Sequence, residues 1–86
     1  MFEGQIKDVV MAMIAEKANI PVDQLKLNNS LINDLGMDSF TLVEVAYEIR
    51  ELYGIKLNSS ELSQVKTISD TIEIIKNNTF QKKGGV

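Results

Sequence analysis

The 86-residue chain contains no cysteine and no histidine, and it has a single proline. Without those two side chains there are no disulfides, no thiolate or imidazole metal ligands, no cysteine nucleophile and no Ser-His or Cys-His catalytic pair. No apolar run approaches the length needed to cross a bilayer, so no membrane partner is expected. The acidic residues Glu3 and Asp8 near the start do not fit the basic-then-apolar order of a secretory signal, and a cytoplasmic location is expected. A chain of this length makes one domain, which buries only about 60% of its unfolded surface and depends on close packing. Hydrophobic residues at 44% and charged ones at 24% place it among ordinary globular proteins rather than disordered chains.

The net charge of −3 argues against nucleic acid as a partner. Its distribution is more informative than its size. Five acids, Asp34, Asp38, Glu44, Glu48 and Glu51, share the segment from 34 to 51 with one base, Arg50, and the rest of the chain is nearly neutral. A local acidic patch on an otherwise balanced chain suits a basic partner surface. A solvated helix face with incidental acids fits the charge pattern equally well.

With few chain breakers, each one marks a boundary. Ile6, Val9, Val10, Met13 and Ile14 recur at helical spacing and predict a first helix over residues 3–18, closed by Pro21. The segment 21–36 has no regular period. Its leucines predict a long first loop packed across the core, with a short turn near Leu31–Leu35. A second helix runs from the N-cap candidate Asp38 to Tyr53 and stops at Gly54. Asn58, Ser59 and Ser60 start a short helical turn. A last helix spans about 67–78, capped by Thr67 or Ser69, with Ile68, Ile72 and Ile75 as its buried row. No strand alternation occurs. The expected fold is all-α: a small four-helix bundle of three main helices and one short one, with residues 1–78 as the domain and 79–86 as a disordered tail.

On a helical wheel the second helix has two apolar stripes. Leu42, Val45, Ala46, Ile49, Leu52 and Tyr53 form the expected core face, while Phe40, Val43 and Tyr47 gather on another side beside Glu44 and Glu51, with Glu48 between the two faces. Two stripes suit either a helix buried on most sides or one whose second stripe is a recognition surface.

Ser39 stands where the loop meets this helix. Serine is common at helix starts for its capping oxygen alone. No histidine exists to deprotonate it, so a Ser-His mechanism is excluded, and no motif supports a Ser-Lys pair. A helix N-terminus also favours an attached phosphate, through free backbone N–H groups and the positive end of the dipole. This suits a serine that is modified by another enzyme and then carries the added group, with Asp38 beside it to position a metal or the modifying enzyme.

The run Ser30-Leu31-Ile32-Asn33-Asp34-Leu35-Gly36-Met37-Asp38-Ser39-Phe40 resembles the signature of the acyl carrier protein family, Asp-Leu-Gly-x-Asp-Ser-hydrophobic. The likeness extends over about residues 3–78. It implies 4′-phosphopantetheine, donated by coenzyme A and held covalently on Ser39 next to Asp38, with acyl cargo bound as a thioester. It further implies a monomeric carrier without catalysis of its own. Its partners would be a phosphopantetheinyl transferase and acyl-loading and acyl-processing enzymes with basic docking surfaces. Those enzymes would read the second helix through Phe40, Val43, Glu44, Tyr47, Glu48 and Glu51. Phe40 stands where the fatty-acid type has leucine, Thr41 replaces an acid, and Arg50 adds a positive charge. The resemblance implies service in fatty-acid biosynthesis or in specialised lipid or polyketide biosynthesis, and these departures count against the housekeeping fatty-acid synthase. A D-alanyl or other aminoacyl carrier is the alternative, since such carriers also show Asp-Ser-Phe. An unmodified helical interaction module is the alternative of another class.

Overall fold

The computed structural model describes the backbone of residues 2–84 and the side chains of residues 5–78. Four α-helices follow one another: α1 (Phe2–Ala18), α2 (Ser39–Tyr53), α3 (Ser59–Ser63) and α4 (Ile68–Gly84), with a 3₁₀ turn at Val22–Gln24. The described residues contain no strand, only one isolated antiparallel bridge between Ser30 and Thr67. The architecture is thus the all-α bundle expected, with the long loop between α1 and α2. Helix α4 continues to Gly84, past its expected end at about 78, so the backbone of 79–84 is helical where a disordered tail was expected. The side chains of those residues, and Gly85 and Val86 altogether, lie outside the described residues.

The apolar rows explain why the helices pack as they do. Ile6, Val10, Met13 and Ile14 on α1 are buried together with Val45 and Ile49 on α2 and Ile68 and Ile75 on α4, whereas Val9, expected in the same α1 row, is only half-buried at its edge. Helix α1 packs chiefly on α4. The α4 row differs from expectation at one step, because Thr71 is fully buried and Ile72 only half so. Thr71 tolerates this position because its hydroxyl donates to the Thr67 carbonyl at 3.1 Å, leaving no unpaired polar atom.

Helix ends follow local side-chain chemistry. Helix α1 stops before Pro21 has any say: Asn19 adopts a left-handed φ of 61°, and the Ile20 N–H donates to the Ala15 carbonyl at 3.0 Å. The Asn19 N–H reaches the Glu16 carbonyl at 3.3 Å, completing a Schellman closure. Asparagine is among the few residues other than glycine that accept this geometry readily. Helix α3 begins with a reciprocal capping box between Asn58 and Glu61. Helix α4 is capped by Thr67 rather than Ser69: the Asp70 N–H donates to Thr67 Oγ1, while the Asp70 carboxylate accepts from the N–H groups of Lys66 and Thr67.

The long loop is ordered by two devices. Leu25, Leu31 and Met37 plug into the core, whereas Val22, Leu27 and Ile32 remain outside. Its backbone is also stitched to the start of α4 through Leu31 N–H to the Lys66 carbonyl at 2.9 Å and Ser69 N–H to the Leu27 carbonyl at 2.9 Å. Gly36, at φ 72°, then turns the chain so that Met37 points inward and Asp38 outward. A Cβ there would meet nothing within 4 Å, so backbone torsion rather than space calls for glycine.

Candidate functional site

Two residues define the start of α2. Asp38, in extended conformation, is its N-cap, and one carboxylate oxygen accepts both the Thr41 N–H at 2.9 Å and the Thr41 hydroxyl at 2.8 Å. The Thr41 hydroxyl thus serves as a second donor to the cap. These bonds, the backbone one foremost, hold the Asp38 carboxyl below its ordinary value of 3.8. Because the folded-state value is depressed, the cap's stabilisation is complete above pH 3.8 and is lost as pH falls through the lower folded value. Melting curves should therefore show wild type losing stability relative to Asp38→Asn below that pH, since asparagine caps without needing a charge.

With Asp38 as the cap, Ser39 is released from capping duty. Its side chain is exposed, and its hydroxyl makes no hydrogen bond to any described residue. It stands at the mouth of a shallow, largely apolar groove of about 240 Å³, lined by Ser39, Leu42, Val43, Ser59, Leu62 and Ser63. A second hollow of about 260 Å³ shares Val43 and Leu62 with the first and continues along α2 past Ala46 and Tyr47 to Arg50, Lys56 and Leu57. A free, exposed hydroxyl at a helix N-terminus, opening on a groove with apolar walls, fits a phosphate-linked arm with an apolar cargo.

The outer stripe of α2 stands free. Phe40 is 71% exposed, Tyr47 59% and Val43 55%, and Glu44 and Glu51 are exposed beside them. Glu48 does not join this face. It is half-buried, and its Oε1 lies 3.2 Å from Lys17 Nζ, tying α2 to α1. That contact with Glu48 holds the Lys17 ammonium above its ordinary value of 10.5, with Glu44 adding a smaller attraction. Leu52 also departs from expectation: placed on the core face by its spacing, it is 55% exposed. In the last turn of α2 Tyr53 packs half-buried against the core while Leu52 swings out, and both line a separate hollow with Gln5, Ile6, Asp8 and Val9 of α1. Burial raises the Tyr53 phenol above its ordinary value of 10.0.

Sequence reasoning missed the α3 side of the groove: Ser59, Leu62, Ser63 and the preceding Lys56. The Asn58-x-x-Glu61 box was the available signal that a helix starts there, although it says nothing about where that helix packs.

Residues 8–75 match the phosphopantetheine attachment site family. The chain belongs to the acyl carrier protein family. It is 27% identical over 70 residues to an acyl carrier protein of Coprothermobacter proteolyticus, covering 81% of this chain and 85% of that one. It is 30% identical to that of Thermobifida fusca, covering 85% of this chain and 92% of that one. The acyl carrier protein of Campylobacter hominis is 32% identical, with 85% and 87% covered. Among solved structures, the apo doublet acyl carrier protein from prodigiosin biosynthesis superposes with a TM-score of 0.71 at 27% identity. The match takes in 86% of this chain and 36% of that longer one. Family membership makes this a carrier protein without catalysis of its own. Its cofactor is 4′-phosphopantetheine, and it works with a phosphopantetheinyl transferase and acyl-handling enzymes. When bound, the cofactor supplies the thiol that the sequence lacks. No helix among the described residues is long and apolar enough to cross a membrane.

Proposed function

We propose that Ser39 carries the phosphopantetheine arm and that the chain, a cytoplasmic monomer, delivers thioester-bound acyl groups to the enzymes of a specialised lipid or polyketide pathway. The observation that carries this reading is the pairing of Asp38 and Ser39: the aspartate occupies the capping position, which leaves the serine hydroxyl exposed and unbonded at the head of the groove. The likeness to a carrier domain from prodigiosin biosynthesis supports a specialised pathway, as do Phe40 and Arg50 within α2. Incubation with coenzyme A and a phosphopantetheinyl transferase, followed by intact mass measurement, tests the attachment. An unmodified population after exhaustive incubation overturns it.

The docking face on this reading is Phe40, Val43 and Tyr47 with Glu44 and Glu51 at the rim, while Glu48 serves the tie to Lys17. Rim charges act mainly on association rate and salt dependence. Glu44 lies one turn beyond Phe40, so Glu44→Lys is expected to slow turnover by a partner enzyme with a basic docking surface. Arg50→Glu removes the positive charge inside the acidic segment, and a generic fatty-acid synthase enzyme is expected to use that variant better than wild type. Both effects should shrink as ionic strength rises. If neither charge reversal changes turnover at low salt, docking is apolar and rests on Phe40 and Tyr47.

A further inference from the structure

The groove beginning at Ser39 ends at two cations. Arg50 and Lys56 line its far hollow together with Val43, Ala46, Tyr47, Leu57 and Leu62. Arg50 is the one base between residues 34 and 51, and it faces this groove rather than the acids around it. Neither cation is paired with a carboxylate among the described residues, although Lys17 and Lys76 elsewhere in the chain both are. Both side chains are exposed and within reach of a ligand in the groove. Arg50 comes eleven residues after Ser39, about 16 Å along the helix axis.

We propose that this far end selects acyl cargo that ends in a carboxylate, with Arg50 and Lys56 as the specificity-determining residues; this rests on Ser39 being the attachment site. The apolar stretch past Leu42, Val43 and Leu62 accepts the apolar parts of the arm and its cargo, and a terminal anion then meets two cations that no described carboxylate pairs. An arginine fork is suited to holding a carboxylate by two parallel bonds, and the nearby lysine adds a point charge. A methyl-ended chain of equal length forgoes that attraction and brings an apolar end against two charged groups.

The test loads the protein, through a phosphopantetheinyl transferase, with two acyl groups of matched length, one methyl-ended and one carboxylate-ended. Intact mass confirms loading first, so failure of the attachment reading is seen separately as a missing adduct. The carboxylate-ended form is expected to melt about 2–6 °C above the methyl-ended form at low salt, the shift a partly exposed ion pair gives in a domain of this size. Arg50→Gln with Lys56→Gln should erase that difference, and high salt should reduce it. Amide chemical shifts of residues 43–57 should move with the carboxylate-ended cargo and revert in the double variant. Equal melting of the two loaded forms overturns the proposal, as does a difference that survives the double variant. If the variant alters only turnover by partner enzymes, while the two loaded forms melt alike, the cations face a partner protein and the cargo reading is wrong.

Discussion

Ser39→Ala is expected to abolish the phosphopantetheine adduct completely while leaving helix content nearly unchanged. The second half of that expectation follows from the division of labour at the start of α2. Asp38 caps the helix and Ser39 makes no bond that folding needs, so its hydroxyl can be removed without unwinding the first turn. The other serines are poor substitutes. Ser30 Oγ accepts the Asn33 N–H at 3.1 Å and Ser63 Oγ donates to the Ser60 carbonyl at 2.8 Å, so both are engaged locally. Ser59 and Ser60 open a five-residue helix, and Ser69 follows Ile68 within α4, so none of them has an acid before it at the start of a long helix. Intact mass and far-UV circular dichroism on the same sample check both halves. An adduct persisting in the alanine variant would place the attachment elsewhere, and a large loss of helix would mean that Ser39 shares the capping.

The largest stability change is expected at Ile14. Its side chain is fully buried, packed within the cluster that joins α1 to α2 and α4. Ile14→Ala should cost about 2–5 kcal/mol through lost burial and the cavity left behind. Set against a total of about 5–15 kcal/mol for a typical domain, this brings the protein close to unfolding. Each kcal/mol lowers the melting temperature by about 4–8 °C in a domain of this length. Val10→Ala, also at a fully buried position, removes less volume and should fall toward the lower part of that range. Both variants should still accept the prosthetic group at temperatures where they remain folded, because no described side chain of α1 lines the Ser39 groove. A melt indistinguishable from wild type would mean that the α1 row is not the packed face.

The helices were legible in the sequence because their signals are local. The α1 row, the Asp38 cap, the Gly54 stop and the Asn58 start each depend on residues within one or two turns, and all four occur in the structure. Where local reasoning failed, two local signals competed or a third helix intervened. Pro21 predicts the end of α1, yet Asn19, two residues earlier, takes the left-handed conformation that closes it. Leu52 and Tyr53 both suit the inward face of α2, yet against its neighbours the helix packs Tyr53 half-buried on the core and leaves Leu52 exposed.

The candidate site divides along the same line. The sequence by itself determined the Asp38–Ser39 junction and the exposed stripe of Phe40, Val43 and Tyr47, since a cap motif and a helical period need nothing beyond the segment that carries them. Tertiary structure alone decided the fate of Glu48, because only the approach of α1 brings Lys17 to its carboxylate. It also decided that Arg50 and Lys56 close one end of a groove whose other end opens at Ser39. The groove's second wall is α3, whose position is set by the buried Ile55 and Val65 on either side of it. Spacing along a chain fixes which residues share a face of one helix, whereas which faces meet depends on how all the buried rows are satisfied together.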